Sequence, residues 1–308
     1  MRVSTSMLFG MGREAIQRQS AEFANTQLQL ASGKRILKPS DDPVAAARAL
    51  EVSHSKGVNL QYRENQGYAQ DALRRVDGVL ASASELITYV RSRAVEAGNP
   101  TYTQAERTAI AADLRAQYEQ LRGLANTRDA EGNYLFAGFG IDAEPFPGDI
   151  ASDVATNPTG PTSYAGDGGI RRLQVSASRE MPVGTPGDRI FGTAGAGVFE
   201  DMRTLIVRLE SGTYDTAVDS GNAISAMDAA LDVALTERAS VGSRLVELDA
   251  LDYASGDYDL QYAETLSRLQ DLDYAEGISR FTQQQTLLEA AQQSYVRVTG
   301  LSLFNFLR

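Results

Sequence analysis

Cysteine and tryptophan are absent from this 308-residue chain, histidine occurs once, and lysine occurs only as Lys34, Lys38 and Lys56. Without thiols there is no disulfide framework and no thiol nucleophile, and with His54 alone no cysteine or multi-histidine zinc site can be built. The missing cysteines leave the compartment open, since a chain threaded through a channel to refold outside the cell also gains from having nothing to cross-link. Aromatics amount to 7 %, thin for a large globular enzyme but ordinary for long helices with aliphatic seams. Positive charge is scarce too: Lys and Arg number 29 against 40 Asp and Glu, a net charge of -11. Such a chain is repelled by phosphate backbones and anionic headgroups, which argues against nucleic-acid and membrane partners. No run approaches the ~18 apolar residues of a membrane span, and the opening from Met1 to Met7 lacks a signal-peptide core, so neither insertion nor Sec-type secretion is predicted.

What is present suits a folded chain: 43 % hydrophobic residues, 22 % charged, 9 prolines and 27 glycines. The length allows about two domains on a prior of roughly 150 residues each. Residues 4–32 read as a helix with a weak apolar seam at Met7, Met11, Phe23 and Leu28, ended by Ser32-Gly33. In the linker 33–43, Asp42 can cap a helix that starts with Pro43. From 45 to 94 a three-four spacing follows: Ala45, Arg48, Val52, Ser55, Asn59, Tyr62, Gln66, Ala69, Leu73, Val76, Leu80, Ala83, Ile87, Val90 and Ala94. That is a heptad seam, a rod of roughly 75 Å at 1.5 Å per residue, until Gly98-Asn99-Pro100 stops it. Thr103 with Glu106 makes a capping box for a further helix carrying Ile110, Leu114, Tyr118 and Leu121.

The texture changes between about 129 and 199, where six of the nine prolines fall among glycines and short alternating runs. Residues 129–140 read as a hairpin closing the helical part, and 141–197 as a small β insert separable from it. Helical spacing resumes at Phe199, Met202, Ile206 and Leu209. A second long seam runs from Ile224 through Met227, Leu231, Ala234, Arg238, Val241, Leu245 and Leu248 to Asp252, with Tyr262, Leu266 and Leu269 in step. The chain is expected to run up, make a tip and run back down. The last segment holds Ile278, Phe281, Gln285, Leu288, Gln292, Tyr295, Thr299, Leu303 and Phe306 at helical spacing, and across 281–307 only Glu289 and Arg297 are charged. A helix apolar on one side and uncharged on most of the rest wants protein neighbours on several sides. Its stripe, with Phe281 and Leu288, is expected to meet partners rather than the chain's own core.

Three stretches carry a family resemblance: Leu30-Ala31-Ser32-Gly33-Lys34-Arg35-Ile36 with Pro39-Ser40-Asp41-Asp42-Pro43; Asn133-Tyr134-Leu135-Phe136-Ala137-Gly138; and Asp271-Leu272-Asp273-Tyr274-Ala275-Glu276 through Leu303-Phe304-Asn305-Phe306-Leu307. In these the chain resembles the flagellin superfamily over nearly its whole length. The opening Met1-Arg2-Val3-Ser4-Thr5 departs from the Ile-Asn-Thr-Asn type start of flagellins. Tyr164-Ala165-Gly166-Asp167, Arg172-Leu173-Gln174-Val175 and Gly187-Asp188-Arg189-Ile190-Phe191 resemble instead the superfamily members of the hook-filament junction.

The resemblance implies unfolded export through the flagellar type III apparatus with a chaperone and without a cleaved signal peptide. It further implies a place outside the cell as a ring of identical subunits between hook-associated protein 1 and flagellin. It also implies three regions: 1–42 plus 271–308 as a terminal helical assembly domain, 43–140 plus 198–270 as a long-helix rod with a β-hairpin, and 141–197 as an outward-facing insert. The residues expected at the assembly interface are Met7, Met11, Phe23, Leu28, Ile278, Phe281, Leu288, Tyr295, Leu303 and Phe306.

Other chemistry is weakly supported. His54 has no nucleophile-elbow pattern beside it and reads as a surface or flank histidine. Asp249, Asp252, Asp257 and Asp259 lack the spacing of a calcium loop and read as a solvated face or a break. Gly166-Asp167-Gly168-Gly169 reads as a turn, not a phosphate cradle. Arg74-Arg75 and Arg171-Arg172 are isolated in an acidic chain and are expected to form salt bridges. The reading is therefore a mainly α, elongated antiparallel long-helix bundle formed by both ends of the chain, with a small inserted β domain. It is a structural protein with no catalytic, metal or cofactor residue. A flagellin-type filament subunit, an intracellular coiled-coil adaptor and a carboxylate-only hydrolase in the insert remain as alternatives.

Overall fold

The computed structural model describes residues 5–148, 164–193 and 195–306. Its elements are α1 (Thr5–Ser32), α2 (Pro43–Ala97), α3 (Gln104–Ala125), β1 (Arg172–Ser176), β2 (Arg179–Pro182), α4 (Asp188–Phe191), α5 (Val198–Ser211), α6 (Asp219–Gln270) and α7 (Tyr274–Phe306). The helices begin and end where local chemistry directs. Gly33 takes a φ of 69° that closes α1. Asp42 accepts the amide of Ala45 at 3.0 Å and starts α2, and that amide, followed by Arg35, holds its carboxyl below the usual range. Thr103 and Glu106 form the reciprocal capping box at α3. The described chain divides into two compact units, residues 1–58 with 257–308, and residues 59–256.

In the larger unit α2 and α6 pair antiparallel. Ala69, Leu73, Val76, Leu80, Ala83, Ile87, Val90 and Ala94 are all buried, facing a seam that contains Met227, Ala234, Val241 and Leu248. Arg63 to Asp252, Gln70 to Asp249, Asp77 to Arg238 and Arg91 to Asp228 flank it in descending order, which fixes the opposed directions. Such exposed pairs contribute little each, so apolar burial carries the pairing. Position is set by a buried polar layer. Asn59 Nδ2 donates to the Ser255 carbonyl at 2.8 Å, and Gln66 Nε2 donates to Ser255 Oγ at 3.1 Å and to the Val175 carbonyl at 2.7 Å. A slip of one turn would strand those groups without partners, the same device that a lone polar residue supplies in a coiled coil. The three-four spacing is thus buried as expected through the second half of α2, whereas Arg48 and Ser55 are exposed.

α3 packs on α5 through Ile110, Leu114, Tyr118 and Leu121 against Phe199, Met202, Ile206 and Leu209, all buried. Tyr118 meets Phe199 edge-on at 5.3 Å, and Arg115 grips Glu210 with two bonds of 2.6 and 2.8 Å. The stretch 129–140 folds back as turns joined by a single bridge, Arg128 to Tyr134, rather than as paired strands. β1 and β2 make a two-stranded antiparallel hairpin with Leu173 opposite Met181.

The insert shares the core of the helices rather than standing apart. Phe146, Val175, Met181, Ile190 and Phe191 belong to the same buried cluster as the α2 seam, and Phe146 and Phe191 lie 5.0 and 5.9 Å from Phe199. A separable insert is expected from the alternating runs, but the inward side of the hairpin, with Val175 and Met181, is buried in the cluster of the helices. Residues 149–163 and 194, part of that insert, lie outside the described residues.

Asp167 pins the turn to the insert. Its carboxylate accepts the amides of Phe139, Gly169 and Gly140 at 2.7, 2.8 and 3.0 Å, beside Gly138 at a φ of 83°. The Phe139 amide first, then that of Gly169, holds the carboxyl below its ordinary range.

Two outcomes follow from this architecture. Phe191→Ala should cost the larger unit about 3–5 kcal/mol in denaturant melts, as for other buried Phe truncations, and a Gly/Ser replacement of 141–197 should abolish cooperative melting. A depressed carboxyl stabilises the fold fully above its unfolded value, about 3.9, and that contribution disappears as pH falls through the lower folded value. Asp167→Asn should therefore flatten the acid side of the melting-temperature profile below about pH 4, as measured by circular dichroism.

Candidate functional site

The terminal helices α1 and α7 form an antiparallel pair in the smaller unit. Phe23 stacks on Phe281 with centroids 4.7 Å apart and planes at 27°. Towards one end Gly12 lies under the ring of Tyr295, where an added Cβ would come within 2.9 Å of the ring. Towards the other, buried Gly277 fits between Leu30 and Leu272.

The two connections that enter this pair zip together through backbone. Lys34 bridges Asp271 antiparallel, Arg35 donates its amide to the Gln270 carbonyl at 2.7 Å, and Leu272 donates to the Gly33 carbonyl at 2.9 Å. Buried Gln29 closes the turn by donating to the Arg35 carbonyl at 2.6 Å, and Asp41 accepts the amides of Leu37 and Lys38. The short stretches Ser32-Gly33-Lys34-Arg35 and Asp271-Leu272-Asp273 are thus a single joint. It satisfies backbone groups that neither helix end could satisfy alone.

The outer faces remain open. Met7, Met11 and Leu28 on α1 are exposed, as is Ile278 on α7, at 56 %, together with Leu287 and Val296. Between them α7 presents Gln283, Gln285, Gln292 and Gln293 to solvent. Of the interface residues expected from sequence, Phe23, Phe281, Leu288 and Tyr295 are half-buried. Phe281 therefore has a partner inside its own chain, contrary to the expectation that it waits for one outside. The exposed members are Met7, Met11, Leu28 and Ile278. The side chains of Leu303 and Phe306 lie outside the described residues.

The remaining sequence candidates have plain surroundings. His54 is exposed on α2, and the acidic run on α6 lies in an unbroken helix, with Asp252 on Arg63 and Asp259 on Lys56. Arg74, Arg75, Arg171 and Arg172 form no ion pair among the described residues, contrary to expectation. Among the described residues no cluster of ligating side chains could hold a metal, and no helix is long and apolar enough to cross a membrane. The exposed three-four spacing on α6 from Ser225 to Tyr253 was legible in the sequence beside the seam, whereas the meeting of Tyr68, Arg75, Phe139, Arg171 and Arg172 around one groove was not, because they come from three separate segments.

Long paired helices at the joined chain ends that keep Met7, Met11, Leu28, Ile278, Leu287 and Val296 in water define a class: a helical subunit built to be covered by neighbouring protein. The model of the bacterial flagellin N-terminal helical region matches residues 3–140. Flagellar hook-associated protein 3 of Escherichia coli K12 is 31 % identical over 99 % of this chain and 99 % of its own length, and that of Salmonella typhimurium LT2 is 30 % identical over the whole of both. The flagellar junction protein FlgL of Legionella pneumophila has a similar fold, with a TM-score of 0.58, 18 % identity, and coverage of 73 % of this chain and all of that one. The chain belongs to the flagellar hook-associated protein 3 family of the flagellins, a structural and not an enzymatic family.

Coupling within the terminal pair is open to a double-mutant cycle. Phe23→Ala and Phe281→Ala should each destabilise the α1 and α7 pair by roughly 1–2 kcal/mol, less than a fully buried Phe, and the double variant should fall short of additivity by about 0.5–1.5 kcal/mol. Amide exchange of the two helices supplies the measurement.

Proposed function

We propose that this chain is the subunit of the hook-filament junction of a bacterial flagellum, stacking as a ring between hook-associated protein 1 and flagellin. The observation that carries the reading is the outward face of the terminal pair: Met7, Met11, Leu28, Ile278, Leu287 and Val296 stay exposed after α1 and α7 have paired. Full-length similarity to hook-associated protein 3 supports the reading. In this reading 1–42 with 271–308 is the assembly domain, 43–140 with 198–270 the long-helix domain, and 141–197 the insert. Export proceeds through the type III apparatus with a chaperone, and a chain without cysteine has nothing to cross-link on the way. Assembly is non-covalent: apolar area leaves water, and the ordering entropy of the ends is offset only when neighbours arrive.

A strain lacking the gene should carry hooks, lack filaments and release flagellin into the medium; filamentless cells that release none would overturn the reading. Ile278→Asp with Leu287→Asp should leave the melting of the purified subunit within about 0.5 kcal/mol, because both sites are solvated there. Buried in an assembled tube, the two unpaired charges cost several kcal/mol, so the amount retained on isolated hooks should fall by more than about tenfold.

A further inference from the structure

The larger unit carries a groove of about 590 Å³ between α2, the turns after α3 and the β hairpin. Its floor is apolar, with Val76, Leu135 and Val183 buried, and its walls are two aromatics left in water, Tyr68 at 68 % exposure and Phe139 at 64 %. Three arginines open onto it: Arg75, one helical heptad after Tyr68, and Arg171 and Arg172 at the start of the hairpin. None has an ion-pair partner among the described residues, although Arg63, Arg91, Arg115, Arg179 and Arg238 nearby in the same unit each hold a carboxylate. The acids of the groove, Asp129 and Glu131, offset them only in part: Asp129 accepts the amides of Glu131 and Asn133 in its own turn, Glu131 is exposed, and the three arginines outnumber the two carboxylates. Exposed aromatics beside unpaired arginines are the composition of an interface centre, not of a solvated surface.

A second feature of the same unit complements it. On α6 the positions Ser225, Ala229, Asp232, Thr236, Ala239, Ser243, Val246, Ala250 and Tyr253 follow three-four spacing, and every one is exposed. Val246 is 71 % and Tyr253 79 % exposed. This stripe has no Lys or Arg, and its one charge is Asp232. The opposite stripe of α6 carries the seam with α2, and the β hairpin reaches the helix at its flank through Arg179 to Glu247; the exposed stripe lies outside both contacts.

We propose that the groove is a socket for a neighbouring copy of this chain, and that it receives the outward face of that copy's α6. The occupant is argued from charge: the chain is acidic overall, the groove is a local excess of positive charge, and the stripe offers apolar contact and a carboxylate with no cation to repel the arginines. Socket and stripe are different surfaces, so each copy uses both and the contact propagates from subunit to subunit, as a ring or helical array requires. The proposal rests on the junction reading above and names the surfaces that make its ring.

Because the chain has no cysteine, engineered thiols report the contact without background. Phe139→Cys with Val246→Cys, and Phe139→Cys with Tyr253→Cys, should be expressed in cells lacking the native gene, and isolated flagella treated with a short flexible bis-maleimide. A ladder of dimers and higher species from at least one double variant, and monomer only from each single variant, is the expected result. Monomer only from both double variants, with the protein present at the hook-filament boundary, overturns the socket and leaves the junction reading intact. A ladder from a single-thiol variant overturns it too, since like would then meet like. Absence of the unmodified chain from the hook-filament fraction overturns both. Arg75→Glu with Arg172→Glu, checked by circular dichroism for an unchanged melt, should reduce retention on hooks by about tenfold; full retention counts against the socket.

Discussion

Register along the α2 and α6 seam within residues 59–256 is the constraint from which the rest of that unit follows. Apolar layers such as Leu73, Val76 and Leu80 would tolerate several alignments, because aliphatic side chains interdigitate at any heptad step. The layer of Asn59, Gln66 and Ser255 removes that freedom. Displacement by one turn, about 5.4 Å, would leave buried amide groups unpaired. Gln66 also holds the Val175 carbonyl, so the same residue that aligns the helices sets where the hairpin lies. With the hairpin in place, Phe146 and Phe191 reach Phe199, and α3 and α5 close over one core.

The smaller unit is held by a different device. Among the described residues its interface combines a stacked Phe pair, Leu30 with Leu272, and two glycines that let the helices approach. Backbone bonds between the two connections join the helices at one end. Gly33 is required there twice over: its φ is positive, and a Cβ would press within 2.8 Å of the Tyr274 hydroxyl. The residues that identify the family in this region are therefore those that build the joint, which explains why short polar stretches can be its signature.

Function in such a protein is carried by what folding leaves exposed. An enzyme hides its chemistry in a cleft, whereas here the outer faces of the terminal pair, the α6 stripe and the arginine groove are surfaces whose exposure is unfavourable until another protein covers them. The charge distribution fits that arrangement. Acid is spread over the helices and partly neutralised along the seam, while the terminal helix, between 281 and 297, has only Glu289 and Arg297. Charges that would be desolvated on assembly are few on the terminal helix where assembly is proposed.

The sequence by itself determined the helices, their caps and their seams, because these depend on contacts within a few residues: Asp42 before Pro43, Thr103 with Glu106, and three-four spacing from Ala69 to Ala94. The class was legible only through the short stretches at 30–43, 133–138 and 271–276, which resemble the flagellin superfamily, while composition excluded no more than thiol and multi-histidine chemistry. Tertiary structure alone decided how the elements share surface. The alternation in Arg172 to Ser176 indicates a strand with one apolar side, but which surface that side meets depends on residues more than sixty positions away. For the same reason Phe281 turned inward to Phe23 while Ile278, three residues earlier on the same helix, stayed in water. Spacing gives a helix its stripes, and only the position of its neighbour decides which stripe is covered.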